Sequence, residues 1–212
     1  MTSWLDLPAA AVDEAARLLL GWLLTANGVT VRLTEVEAYS GLGADPASHA
    51  HRGVTDRNAV MFGPAGRLYV YQIYGMHLCA NVVCGEEGVA AAVLLRAGEV
   101  VDGLPPARQR RPAAVRDRDL AAGLAKLMQV LALDRTANAT SVVDGSGPAT
   151  LRPPATLPGR GRHRRRAAGR RHRRARRAVA VLDSRGSDRQ RLPATRSAKK
   201  SRNLPTSGRT GE

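Results

Sequence analysis

Two glutamates, Glu35 and Glu37, stand two residues apart in the run TVRLTEVEAY (residues 30–39). Residues at i and i+2 of a strand share one face. A carboxylate drawn from that face into a pocket can act as a general base. A solvated strand face has the same pattern, and spacing alone leaves both readings open. Downstream, Asp45, His49 and His51 fall within DPASHAHRG (residues 45–53). That loop fits a metal site or a polar surface loop. No second cluster of ligands supplies the rest of a closed tetrahedral zinc site, so no metal is expected. Three tyrosines follow in LYVYQIYGM (residues 68–76). Tyr69, Tyr71 and Ile73 alternate onto one strand face, and Tyr74 precedes Gly75 at a turn. Aromatic faces stack on nucleobases at roughly 1–3 kcal/mol each, although an ordinary sheet can also carry a tyrosine ladder. The runs TDRN (55–58) and MFGP (61–64) carry no mechanism readable from spacing. Cys79 and Cys84 sit in an apolar run and read as buried, inert thiols rather than a disulfide framework.

The elements that position these groups follow from periodicity. Val12, Ala15, Ala16, Leu19, Leu20 and Leu23 recur at helical spacing and predict a helix over residues 8–24, with Pro8 suited to its first turn. Gly21 weakens the last turn, so residues 21–25 can already be a strand. Asn27-Gly28 is a two-residue hairpin signal. Strands are expected over 30–39, 68–73, 77–84 and 89–97, with a long Gly-, Pro- and Asp-rich loop over 40–66. A loop of that length inside a compact domain is usually functional. Leu120, Leu124, Leu127, Met128 and Leu131 predict an amphipathic helix over 117–133. The strands form an antiparallel meander.

Composition divides the 212-residue chain sharply. Residues 1–150 hold 13 Lys and Arg against 15 Asp and Glu, whereas residues 151–212 hold 20 against 3. The net charge of +15 therefore resides in the tail and points to a polyanionic partner. All seven aromatic residues precede residue 75. No apolar run approaches the ~20 residues of a membrane span, and the N-terminus has no signal-like pattern. A cytoplasmic protein is expected, nucleoid-associated if bacterial. Residues 1–145 are expected to form one domain. Residues 146–212 are rich in Arg, Pro and Gly without apolar period, and disorder is expected there.

The motifs converge on a family. VEAYSG (36–41), DPASHA with the following RG and TDRN, MFGP (61–64), LYVYQIYGMH (68–77), then Cys79, Asn81 and AVLLRA (92–97) resemble the 3-methyladenine (alkyladenine) DNA glycosylases in identity, order and spacing. The likeness runs from about residue 8 to 145. It implies a mixed α/β domain built around a curved antiparallel β-sheet, with flanking helices and a DNA-intercalating β-hairpin. It implies excision of alkylated or deaminated purines from duplex DNA by base flipping, without metal or cofactor, by a monomer. No lysine lies near the motifs to form a Schiff base, so a monofunctional glycosylase is expected.

The resemblance also assigns roles. Glu37 matches the glutamate that activates the attacking water, and Arg96 the arginine lining the site beside it. Tyr39, His49 and Tyr71 match the residues that hold the flipped base between aromatic faces. Such a sandwich favours an electron-poor, often cationic, alkylated purine. Asn81 matches the residue that crowds out the guanine amino group. Tyr74 matches the wedge that fills the gap left by the base, with Met76 beside it. Arg57 and Asn58 lie in a family motif and either touch DNA or brace the loop. His77, where some relatives carry tyrosine, faces DNA in the same scheme.

The tail departs from the family, which closes its sheet with a glycine-rich RVG segment and an aromatic strand. Residues 178–183 (AVAVLD) can be encoded by G-rich codons that, moved by one base, spell Arg-Trp-Arg-Phe-Trp-Ile. That sequence resembles the missing strand at about the right distance. A shifted reading frame therefore accounts for an Arg-rich, aromatic-free tail. The rivals are a genuine polybasic extension adding salt-sensitive phosphate contacts, an inactive truncated relative, and a non-enzymatic basic DNA-binding protein. Resequencing the gene should uncover the aromatic strand in the shifted frame; its absence there removes the frameshift.

Overall fold

A computed structural model of the chain describes residues 4–41, 43, 46 and 48–154, and the backbone of 164–166 and 179–181. A 3-10 turn over Ala9–Ala11 leads into α1 (Val12–Leu19). The predicted stripe is the buried one: Val12, Ala15, Ala16 and Leu19 face the core. The helix stops where Leu20 turns extended and Gly21 takes φ +82°, so it is shorter than the spacing predicts. Strand β1 (Leu23–Ala26) takes over within the segment flagged by Gly21. Asn27 and Gly28 both adopt positive φ, as a primed hairpin turn requires. The Asn27 side-chain amide also donates to the Leu131 and Ala132 carbonyls.

Strand β2 (Val29–Ser40) is followed by the loop that holds the 3-10 turn Ala59–Phe62. Then come β3 (Leu68–Ile73), β4 (His77–Val83) and β5 (Ala91–Asp102). The last runs beyond its predicted end, with Gly98 paired to Leu33. Helix α2 (Leu104–Arg110) was not legible, since it buries only Ala107 and so shows no stripe. Helix α3 spans Leu124–Leu131 rather than 117–133, because Gly123 at φ +144° separates it from a 3-10 turn at Asp117–Asp119. Strand β6 (Ala149–Arg152) extends the sheet past Gly145. It is four residues long with two buried side chains, too short a stretch for its period to be read. The disorder expected of the tail falls mostly outside the described residues; within it, β7 (Arg164–Arg166) and β8 (Val179–Val181) form short strands.

The sheet is antiparallel with strand order β3-β4-β5-β2-β1-β6. Strand β8 pairs with β2 at Glu35–Glu37 and with β7. A large core on one face gathers α1, α3 and the inward side chains of the sheet. A smaller one, around Ala50, Met61, Tyr69, Val83, Ala90 and Ala92, lies on the other face.

Two register shifts fix how β2 uses these faces. Leu33 pairs with Gly98 and Glu35 with Ala97, so Thr34 is an extra residue; Val36 pairs with Leu95, so Arg96 is extra on β5. A one-residue insertion moves every later side chain to the opposite face. Val29, Val31 and Leu33 point into the large core; past the bulge it is Val36 and Ala38 that do so. Glu35, Glu37 and Tyr39 are thereby turned to the opposite face. Gly98 permits the close approach of the two strands: a Cβ there would lie 2.1 Å from Val31 Cγ1 and 2.8 Å from the Arg32 carbonyl oxygen. Gly98→Ala should destabilise the fold by ~1–3 kcal/mol, the usual cost of overpacking, and thermal unfolding should report a lowered Tm.

Candidate active site

The face to which the bulge turns the glutamates carries a row of cross-strand partners. Tyr69 pairs with Asn81, Asn81 with Leu94, and Leu94 with Glu37. The neighbouring row places Val83 against Ala92 and Ala92 against Tyr39. The register thus brings together side chains from four strands that are distant in sequence.

Glu37 is buried, with 1% of its side chain exposed, and Arg96 Nη1 donates to its Oε2 at 2.7 Å. Arg96 Nε donates to Glu35 Oε1 at 3.0 Å. A buried carboxylate needs a partner of this kind, because desolvating an uncompensated charge is costly. Partial burial opposes the Arg96 charge, but Glu37 and Glu35 outweigh it and hold its pKa above the usual arginine value. Among the described residues, one guanidinium thus bridges two carboxylates.

Beside this cluster lies a cavity of about 60 Å³ lined by Tyr39, His49, Met61, Tyr69, Tyr71 and Asn81. It has room for a few waters but is closed to a purine by direct ring contacts. The His49 ring stands edge-on to Tyr71 with centroids 4.6 Å apart, and Tyr69 stacks on Tyr71 at 5.4 Å. The Tyr69 hydroxyl lies 2.9 Å from His49 Nδ1 and fixes the ring. Asn81 is buried and donates to the Tyr69 carbonyl. Tyr69 and Met61 are pocket residues that the motif assignment does not include. Strand alternation placed Tyr69 on the face of Tyr71, whereas nothing in the spacing of Met61 marked it.

Burial raises the Tyr71 hydroxyl pKa, and the nearby Cys79, Tyr39 and Tyr69 add to the rise. Burial also raises both thiols, Cys84 to about 12, which keeps them protonated and inert. His49 is exposed on one side, yet burial of its ring, and then the Arg57 charge, hold it below the ordinary value of 6.5. It is therefore neutral at pH 7.

The loop that delivers His49 is braced by Asn58. This buried residue accepts from the Thr55 amide at 2.6 Å and donates to the His49 and Gly53 carbonyls. Its side-chain amide thus braces the loop. Arg57 is exposed and donates to the Gln72 carbonyl at 3.3 Å, tying the loop to β3. Beyond Gln72 the β3–β4 hairpin ends in Tyr74-Gly75-Met76. Tyr74 takes φ +50°, rare for a bulky residue, and is 88% exposed; Met76 is 71% exposed. His77 is exposed at the base of the same tip. Asp45 lies outside the described residues. Among the described residues no group of three or more His, Cys, Asp or Glu is placed to hold a metal, and no helix is long and apolar enough to cross a membrane.

Residues 6–174 match the model of a family described as methylpurine-DNA glycosylase. Curated relatives bear the name "Putative 3-methyladenine DNA glycosylase". One from Nocardia farcinica is 55% identical over 141 residues, covering 65% of this chain and 66% of the relative. One from Streptomyces avermitilis is 51% identical over 148 residues, covering 68% and 69%. One from Frankia casuarinae is 52% identical over 146 residues, covering 69% and 66%. The chain thus spans about two thirds of the length of the curated relatives it matches.

The lowered His49 pKa has a pH signature. Between that value and 6.5 the folded chain binds fewer protons than the unfolded one, so stability rises with pH there. The contribution is complete above 6.5 and is lost as pH falls through the folded value. Urea midpoints measured from pH 7.5 to 5 should fall on the acid side, and less steeply in His49→Gln.

Proposed function

Because the chain belongs to the methylpurine-DNA glycosylase family, we propose that it hydrolyses the bond between an alkylated or deaminated purine and deoxyribose in duplex DNA. The observation that carries this reading is a buried, arginine-held carboxylate in the same cross-strand row as the asparagine and tyrosine of an aromatic cavity.

In this reading Tyr74, exposed at the hairpin tip with Met76, enters the duplex as the damaged nucleotide leaves it. Extrusion costs a few kcal/mol and is easiest for a damaged or mispaired base. The base parts His49 from Tyr71 and stacks between Tyr39, His49 and Tyr71. A neutral His49 stacks against a cationic purine without charge repulsion. Asn81, in the same cross-strand row as Tyr69 and Glu37, crowds a guanine amino group in this reading. Arg57 and His77 flank the hairpin where they can reach the DNA backbone.

Glu37 then accepts a proton from water as the water oxygen bonds to C1′. The C1′–N bond breaks with its electrons going to the purine. An N-alkylated cationic base leaves neutral, so the proton of the water remains on Glu37. The Glu37 carboxylate favours the positive charge that builds on the sugar. No metal, cofactor or Schiff base enters these steps; Lys126 is the lysine nearest the motifs, and it lies in α3. We expect a monofunctional monomer acting in the cytoplasm.

A second reading rests on the coverage. Similarity to the named relatives extends over about two thirds of each chain, and β8, which pairs with β2 at Glu35–Glu37, lies outside the family-model match. In this reading the chain is an inactive relative, or a DNA-binding protein whose affinity comes from the basic tail.

One comparison separates them: purine release from methylated duplex DNA by the wild-type chain and by Glu37→Gln. The wild type should release base, and the variant should lose about 10²-fold or more of the rate, the scale of a general base, with DNA binding retained. A folded, soluble wild type that releases none establishes the second reading. Equal release by both removes Glu37 from the chemistry.

A further inference from the structure

We propose that Glu35 is a positioning residue: through Arg96 Nε it sets the guanidinium that holds Glu37 for reaction. The proposal rests on the glycosylase reading for its chemistry, but its geometry stands separately.

A guanidinium carries five N–H donors in one rigid plane. Held by Nη1 alone, Arg96 would be free to swing about its bond to Glu37 Oε2. The bond from Nε to Glu35 Oε1, 3.0 Å long, supplies a second anchor and fixes the plane. The two carboxylates differ in setting. Glu37 is 1% exposed and Glu35 31%, so Glu35 keeps its charge in contact with solvent while its inner oxygen takes the guanidinium.

The strand geometry points the same way. The extra residue Thr34 turns both glutamates to one face, and the extra residue on β5 is Arg96 itself. Two bulges back to back are what bring these three charges together. Among the described residues, the Cys79 thiol on β4 also lies near Arg96 and offers Nε no anionic acceptor, and Tyr71 and Tyr39 lie beyond it.

The test compares Glu35→Ala, which loses the acceptor, with Glu35→Gln, which keeps an acceptor oxygen without the charge. Both are measured by single-turnover purine release, by affinity for duplex DNA carrying an abasic analogue, and by Tm. Glu35→Ala should slow release by roughly 10- to 100-fold, the cost of a small misplacement of a catalytic group. Its DNA affinity should stay within about twofold, because the effect is on chemistry rather than on uniform binding. Glu35→Gln should recover most of the rate. In an Arg96→Ala background, Glu35→Ala should add no further loss. Wild-type rates in Glu35→Ala, or an equally deep loss in the Arg96→Ala background, overturn the proposal.

If the wild type releases no base, the glycosylase reading fails and the arginine Nε–H NMR spectrum decides Glu35 alone. A protected cross-peak lost in both Arg96→Ala and Glu35→Ala, but kept in Glu35→Gln, supports the anchor. A peak unchanged in Glu35→Ala removes it.

Discussion

One extra residue in β2 decides what the rest of the site can be. In an unbroken strand Val29, Val31, Leu33, Glu35 and Glu37 would all point the same way, because side chains alternate with period two. That face is the large apolar core. The insertion at Thr34 reverses the parity, and the matching insertion at Arg96 brings its cation across from them. The large core thereby keeps an unbroken set of apolar side chains, and the charged cluster gathers on the other face. A short charge-assisted bond from Arg96 helps meet the cost of desolvating Glu37.

The two faces of the sheet then divide the work. The large core gives rigidity to β2 and β5, each twelve residues long. The smaller core beneath the 40–66 loop supplies the side chains of the cavity. His49 comes from the loop, Tyr69 and Tyr71 from β3, Asn81 from β4 and Tyr39 from β2, and the loop is held by hydrogen bonds from the buried Asn58. The cavity wall is therefore built from tyrosines of the sheet and from the His49 imidazole, which the Tyr69 hydroxyl holds.

Much of this was legible in the chain, for particular reasons. The stripe of Val12, Ala15, Ala16 and Leu19 gave α1, and Asn27-Gly28 gave the hairpin, because each has a local cause. Strand alternation put Tyr69 beside Tyr71, although only the structure revealed its bond to His49. The bulges had no sequence signature: Thr34 and Arg96 are ordinary strand residues, and their insertion is set by pairing across 60 positions of chain. Helix α2 escaped because it buries a single alanine, and Gly123 shortened α3 by a conformation that apolar period does not register. Asn58 stood in a motif whose role was open between bracing and contact. Its burial and its three loop hydrogen bonds emerge only with the fold.

The tail bears on the site through the same strand. One side of β2 pairs with β5 along nearly its whole length, but on the other side β1 reaches only as far as Arg32. Beyond that point the backbone groups of Glu35–Glu37 need another partner, since an unpaired sheet edge invites association with other chains. Val179–Val181 take that place. Backbone pairing is indifferent to side-chain identity, so a short run of β-branched and small residues can close the ladder beside Glu37. The tail therefore meets the site through the backbone ladder of Glu35–Glu37.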